Sequence, residues 1–237
     1  MFRKGDVVKK NIWIAGIVIG CIVLSGCTVK TKNGAIYLGS ETMEIETYQN
    51  TEKNLQDKEM ISFDVEVGDI DIKLSNDTLY DLTTIIKHHR GDYIKPPKIE
   101  NTDDTVKYSV TVGEIRGSIA DSFKNFKLKL NVGNANLSLN SGNFEKMDID
   151  LEVGNVVLHL PENGKGTVRI NVDTGAVKLF INRDAGYILH YSIGMGAIEI
   201  KAEKTLMEEG TYRINPDKDV QYEIWIDIGP GHIEVIE

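Results

Sequence analysis

Apolar and polar residues alternate along most of the chain after about residue 61, and the alternation changes phase at a recurring glycine. Between 128 and 132 the apolar residues are even-numbered, whereas between 135 and 139 they are odd-numbered, with Gly133 in the middle. Because side chains alternate between the two faces of a β-strand, this pattern predicts two strands that meet at a corner. The phase change keeps the apolar side chains of both strands facing one interior, and glycine accepts the positive φ that such a corner demands.

Seven copies of this strand–glycine–strand pattern occur after residue 61. Their corner glycines are Gly68, Gly113, Gly133, Gly154, Gly175, Gly196 and Gly231. Four consecutive spacings between these glycines are 20, 21, 21 and 21 residues, and the outer two are longer, at 45 and 35 residues. A fixed period of roughly 20–50 residues is typical of a repeat architecture.

Two all-β architectures produce this pattern. One is a single-domain β-solenoid, similar to a parallel β-helix, in which rungs of about 21 residues stack on one another. The other is an antiparallel β-sandwich of hairpins, in which paired residues also have opposite parity. The nearly constant period favours the solenoid, because the corners of stacked rungs align only when the rungs are equal in length. Asn134 and Asn155 follow successive corner glycines, and we expect them to stack as a ladder.

Two segments interrupt the period. Residues 75–105 contain LYDLTTIIKHH, which predicts a strand, and then a loop around Pro96 and Pro97. Residues 203–219 form the second interruption, in which Thr205–Glu209 predicts one helical turn.

The first 26 residues have the pattern of a secretory signal, in which a short basic segment precedes an apolar run from Ile12 to Ser25. As a helix at about 1.5 Å per residue, this run covers roughly 21 Å. A bilayer core is about 30 Å thick, so the run suits a signal peptide better than a membrane span.

The residues Leu24-Ser25-Gly26-Cys27 resemble the lipobox of bacterial lipoproteins. The resemblance implies that the thiol of Cys27 receives a diacylglyceryl group and that cleavage follows just before it. Two acyl chains, such as palmitate, are enough for stable anchoring. A looser lipobox ending at Cys21 and an uncleaved membrane anchor remain open, and both also place the remainder outside the cytoplasm.

These patterns predict three segments and a location. Residues 1–26 form the lipoprotein signal peptide, residues 27–50 a lipidated tether with one strand at Met43–Tyr48, and residues 51–237 the repetitive β-solenoid domain. The expected location is the extracytoplasmic face of the cell membrane.

The predicted mature chain is strongly acidic. Removal of residues 1–26 leaves 23 basic and 35 acidic residues, a net charge of −12. Such a surface repels phosphate backbones, so nucleic acid is not expected as a partner. Both cysteines, Cys21 and Cys27, lie near the N-terminus, so the folded region offers no disulfide, cysteine zinc site or thiol nucleophile.

A search for catalytic, metal and cofactor chemistry gives weak candidates. The pairs Gly194/Gly196 and Gly229/Gly231 precede strands rather than the helix N-terminus that a phosphate loop requires. Asp69 and Asp71 share one strand face and suggest calcium, which needs six to eight oxygen ligands. We expect the five histidines to be exposed on the surface rather than to form a metal site: His88, His89, His159, His190 and His232. No catalytic residue, metal ligand or cofactor site is predicted.

The corner sequences VGDIDI, VGNANL and VGNVVL resemble the adhesin-like, or toast-rack, β-solenoid domain of bacteria. A related domain forms the C-terminal part of LiaF-type cell-envelope stress regulators. The resemblance covers about residues 43–237 and implies a solenoid outside the membrane without catalytic residues. We therefore expect a noncatalytic envelope lipoprotein that binds another envelope protein or a surface component. The alternatives are a role accessory to envelope-stress signalling and a structural protein that self-associates through its C-terminal rung, Ile224–Ile236.

Overall fold

The computed structural model describes residues 28–32, 35–39, 43–55, 58–162, 164–201, 203–205 and 208–237. The predicted signal peptide, Cys21 and Cys27 lie outside these residues. The described part is all-β and contains no helix, so it also contains no helix long and apolar enough to span a bilayer. Its strands are β1 (Thr28–Lys32), β2 (Ala35–Gly39), β3 (Met43–Glu52), β4 (Met60–Val67), β5 (Ile70–Ser75), β6 (Tyr80–His89), β7 (Lys98–Asn101), β8 (Thr105–Val112), β9 (Glu114–Ala120), β10 (Asn125–Ser138), β11 (Lys146–His159), β12 (Gly166–Phe180), β13 (Gly186–Ile200), β14 (Glu203–Thr205), β15 (Glu209–Ile214) and β16 (Val220–Ile236).

The chain divides into two compact units. The first includes the described residues between Thr28 and Ile45 together with residues 87–93, and within it β1 and β2 form an antiparallel hairpin with Thr28 opposite Gly39. The second comprises residues 46–86 and 94–237 and contains the seven repeats.

The repeats of the second unit stack as parallel rungs with their corner glycines aligned. In the pair β10–β11, Gly133 lies opposite Gly154, and Leu128 lies opposite Ile149. The same register continues from β11 to β12, where Gly154 lies opposite Gly175. The predicted solenoid is therefore confirmed, and the antiparallel sandwich is wrong, because neighbouring copies pair in parallel.

The predicted change of parity at each corner directs apolar side chains from both arms into one interior. Leu128, Leu130, Ala135 and Leu137 are all at most 1% exposed. Burial of a large aliphatic side chain contributes about 1.5–3 kcal/mol, so this interior is the main source of stability. Buried tyrosines complete it, and burial raises the pKa of the Tyr222 hydroxyl, which donates a hydrogen bond to the Phe144 carbonyl at 3.1 Å.

One apolar position in several of the corners departs from the parity prediction. Val67, Val132 and Val153, which immediately precede their glycines, are 44–49% exposed rather than buried. The chain turns the corner between the buried residues Leu130 and Ala135. Residues 132–134, which are nearest the bend, lie on its outer side. The phase change is thus spread over the corner instead of occurring at the glycine alone.

The rungs do not stack in chain order. The order across the sheet is β8/β9, β4/β5, β10, β11, β12, β16 and β13, so the last strand is inserted between β12 and β13. Within β16, Ile226 lies opposite Ile170 on one side and Tyr191 on the other. Self-association through an open C-terminal rung is therefore wrong, since both edges of that rung are already paired.

The two interruptions of the period supply antiparallel strands that cover the ends of the stack. At one end β6, the strand predicted from LYDLTTIIKHH, pairs with β9. At the same end β7, which follows the predicted loop around Pro96 and Pro97, pairs with β8. At the other end β14 and β15 both pair with β13. The helical turn predicted for Thr205–Glu209 is wrong, because the described residues of that segment lie in strands or a bend.

Candidate binding groove

The residues that the sequence suggested for calcium form a hydrogen-bonded ladder. Asp69 Oδ1 accepts hydrogen bonds from the backbone N–H and the Nδ2 of Asn134, both at 2.9 Å. Asn155 Nδ2 in turn donates to Asn134 Oδ1 at 2.9 Å, which confirms the predicted ladder. Asp71 accepts from Asn136 Nδ2 at 3.3 Å. In the described residues no group of three or more His, Cys, Asp or Glu side chains is placed to hold a metal ion.

The structure keeps the histidines of the repeats apart. Each rung has a first arm before its corner glycine and a second arm after it. His159 stacks on Phe180 with ring centroids 4.2 Å apart, near the end of a second arm. His232 follows a corner glycine, opposite Ala176 and Ala197. His190 lies on a first arm, beside Trp225. The remaining pair, His88 and His89, belongs to the first unit, where His88 Nδ1 lies 3.0 Å from the His89 carbonyl. The predicted exposure is wrong for His88, which is only 8% exposed because alternation along β6 turns it inward.

The first arms of β12, β16 and β13, together with β15, form a concave groove of about 620 Å³ on the outer face of the sheet. A volume of this size lies within the range of roughly 300–1,000 Å³ seen for small-ligand sites. Alternation along each strand turns every second side chain outward, so the groove is lined by two parallel rows of residues about 7 Å apart.

The first row is Arg169, Trp225, His190 and Thr211, one residue from each of the four strands. The guanidinium of Arg169 lies 5.7 Å from the Trp225 ring centroid, and the imidazole of His190 stacks on the same indole at 4.9 Å and 17°. Such a cation–π contact contributes about 0.5–1 kcal/mol at an exposed site. Both faces of the indole are therefore covered, and its edge is the part left to contact a ligand.

The second row is Asn171, Asp227, Ser192 and Glu209, again in register across the four strands. Asn171 Nδ2 donates to Asp150 Oδ1 at 2.7 Å, which fixes the amide at the edge of the groove. The groove thus combines a cationic and aromatic row with an acidic and amide row. It presents hydrogen-bond donors and acceptors to one polar ligand from several strands at once.

His190 also connects a hydroxyl and a carboxylate. Its Nδ1 lies 3.0 Å from Thr211 Oγ1, and its Nε2 lies 3.1 Å from Glu223 Oε1. A hydroxyl, an imidazole and a carboxylate in this order resemble a hydrolase triad. Acyl transfer further requires free N–H donors directed at the developing oxyanion. Here β13 is paired on both sides, with β16 and β15, so the sheet uses the backbone N–H groups around His190.

Sequence reasoning singled out His190 and missed the other groove residues. The groove exists because β16 is inserted beside β12 and because β15 folds back along β13, and neither event follows from local alternation. One signal was present in the sequence. Trp225 alternates with Ile224 and Ile226, which are inward, so a large aromatic residue occupies an outward position.

Comparison with one solved structure supports the fold. A proposed cell adhesion protein from Clostridium sporogenes is similar with a TM-score of 0.64 and 18% sequence identity, over 82% of this chain and 99% of that chain. A proposed adhesin from Bacteroides fragilis has a TM-score of 0.32 and 13% identity, over 83% of this chain and 98% of that chain. No protein-family model and no curated protein matches the sequence.

At 18% identity the Clostridium sporogenes structure shows a shared fold and nothing finer. The chain therefore belongs to the class of all-β solenoids with parallel rungs and antiparallel end strands. This solenoid carries the groove around Trp225 on the outer face of its sheet.

Proposed function

We propose that this chain is a noncatalytic, adhesin-like binding protein of the bacterial cell envelope. It is held on the outer face of the cell membrane by lipid on Cys27, and it binds another envelope protein or a surface component. The observation that carries the proposal is the groove, in which Arg169, Trp225 and His190 are stacked in a fixed order across three strands. Preorganised side chains lose little entropy when a ligand binds.

The geometry favours binding over catalysis. The Thr211–His190–Glu223 series has no oxyanion site beside it, because the strands on both sides of His190 use the local backbone donors. Glu223 is 44% exposed at its side chain and His190 31%, so water reaches the series freely. A hydrolase site excludes water and aims unpaired donors at the reacting atom. The fold similarity to a proposed cell adhesion protein agrees with a binding role.

The groove is tested by binding of the chain from Thr28 onward to isolated cell-wall and membrane-protein fractions. Trp225 is the sole tryptophan after Trp13, so tryptophan fluorescence of this chain, excited at a wavelength that tyrosine does not absorb, reports on the groove. We expect a fluorescence change on binding, and we expect Trp225→Thr to weaken binding, measured by co-sedimentation, about tenfold or more, which corresponds to about 1.4 kcal/mol.

Phe180→Thr provides the matched control, because it removes a second histidine–aromatic stack from a different arm. Binding by that variant should equal binding by the unchanged chain. Equal binding by Trp225→Thr and the unchanged chain would show that the groove is not the site.

The anchor is tested separately by mass spectrometry of the protein from its native membrane. We expect the N-terminal residue to be Cys27 carrying a diacylglyceryl group, and we expect Cys27→Ser to abolish the lipid and release the protein from the membrane fraction. Modification at Cys21, or an intact N-terminus, would contradict the assignment.

A further inference from the structure

A continuous line of exposed residues runs along the corner of the solenoid, one from each rung. These residues each precede a corner glycine, and we call the line the crest: Val112, Val67, Val132, Val153, Thr174, Pro230 and Met195. The four valines are 44–49% exposed and Met195 is 70% exposed. Neighbouring rungs are about 4.8 Å apart, so the crest is roughly 29 Å long.

The apolar character of the crest is specific to this position. Outward positions three residues before the crest, on the same arms, carry Asp64, Lys129 and Asp150. If β-propensity alone selected valine, it would act equally at those positions. Aligned apolar side chains that remain exposed mark an interaction surface more often than isolated ones do.

The crest is bordered by carboxylates on both sides. The acidic neighbours are Glu66, Glu152 and Asp173 in the column before the crest and Asp69 and Glu114 in the column after the glycines, and the remaining positions of these columns are Thr, Asn, Gly, Ala or His. These two flanking columns contain no Lys or Arg, and of their carboxylates Glu114 is paired with the Arg116 guanidinium from the adjacent outward position. Charge complementarity therefore favours a partner with an apolar stripe and a basic rim. A second copy of this chain would place acid against acid, and an anionic membrane would be repelled in the same way.

We propose that the crest binds a cationic amphipathic helix of a partner protein. The apolar stripe of the helix lies along the valines, and its Lys and Arg residues approach the flanking carboxylates. A helix rises about 1.5 Å per residue, so roughly 19 residues match the length of the crest. This inference is independent of the groove, because the crest and the groove share no residue.

The test measures binding of the chain from Thr28 onward to a synthetic helix of about 19 residues with a leucine stripe and lysines on its remaining face. We expect saturable binding that weakens as salt rises. Conversion of three crest valines to threonine should weaken binding at least tenfold at unchanged charge and nearly unchanged shape. The conversions are Val67→Thr, Val132→Thr and Val153→Thr.

A pair of charge variants separates the carboxylate border from the general acidity of the protein. Neutralisation of the border should weaken binding at low salt, through Glu66→Gln, Glu152→Gln and Asp173→Asn. Neutralisation of three exposed acids outside the border should leave most of the binding intact, through Asp103→Asn, Asp184→Asn and Asp217→Asn. Urea unfolding midpoints of all variants verify that each one is folded.

Three outcomes would overturn the proposal. The first is equal binding of the peptide by the valine variants and the unchanged chain, and the second is equal loss from the two charge variants. The third is binding to a different partner. The chain would then bind anionic phosphatidylglycerol vesicles but not the peptide, or it would sediment as a dimer that dissociates in the valine variants. Either result would assign the crest to a membrane or to a second copy.

Discussion

Replacement of Gly154 by alanine is expected to lower the free energy of unfolding by more than about 4 kcal/mol, a loss that is exceptional for one methyl group. Gly154 has φ +143°, and a Cβ built on it would lie 1.6 Å from the carbonyl oxygen of Gly133 in the neighbouring rung. That carbonyl belongs to backbone in the sheet, so it has no flexible end that can move aside. Gly133 is itself stacked on Gly68 in the same way, so relief at one rung displaces the next.

Two other glycines serve as controls that separate the steric clash at Gly154 from the backbone strain and the change in chain flexibility that any Gly→Ala substitution can cause. Gly91 has φ +90° with no atom within 4 Å of a built Cβ, so Gly91→Ala carries backbone strain alone, of about 1–2 kcal/mol. Gly194 meets its nearest atoms at 3.5 Å without a left-handed φ, so Gly194→Ala should change stability by less than about 1 kcal/mol. Urea unfolding followed by circular dichroism measures all three. A loss at Gly154 no larger than that at Gly91 would contradict the close approach of stacked corners.

Removal of β16 by truncation after Asp219 is expected to abolish folding of the second unit rather than shorten the stack by one rung. The strand supplies six side chains that are at most 2% exposed: Tyr222, Ile224, Ile226, Ile228, Ile233 and Val235. At about 1.5–3 kcal/mol each, their burial contributes roughly 9–18 kcal/mol. The whole stability of a domain is about 5–15 kcal/mol. The truncation also leaves β12 and β13 without the strand that joins them.

The truncated chain should lack a cooperative urea transition, and a synthetic peptide of residues 220–237 added in trans should restore it. A peptide with the same residues in scrambled order serves as the control, because it keeps the composition and loses the register. If the truncated chain unfolds cooperatively with a β-sheet spectrum, the inserted position of β16 is wrong.

The sequence alone predicts the construction of a single rung. Alternation identifies Leu128 and Leu137 as interior residues, and the phase change at Gly133 identifies the corner between them. The equal spacing of successive glycines identifies stacking, from which the contact of Asn134 with Asn155 follows. These features depend on side chains within one rung or in two rungs adjacent in sequence, so a local pattern records them.

The order of rungs and the groove depend on contacts between segments far apart in the chain. Ile224 and Ile226 alternate like the interior residues of any other rung, so nothing in β16 itself distinguishes a terminal rung from an inserted one. The interval of 35 residues between Gly196 and Gly231 is the sequence feature that agrees with the inserted position of β16, since it gives the chain enough length to pass β13 and return. The positions of Arg169 and His190 on either side of Trp225 follow from that return.

Disulfide formation between paired cysteines tests the rung order most directly. Lys178 on β12 lies opposite Glu234 on β16, and Glu234 lies opposite Glu199 on β13. Adjacent strands are about 4.8 Å apart, within the Cα separation of about 4.4–6.8 Å that a disulfide tolerates. The chain from Thr28 onward contains no cysteine, so two introduced cysteines can react only with each other or between molecules. The structure predicts that Lys178→Cys with Glu234→Cys forms an intramolecular disulfide on mild oxidation, whereas Lys178→Cys with Glu199→Cys does not. Rapid crosslinking of residues 178 and 199, with none between 178 and 234, would show that the rungs stack in chain order instead.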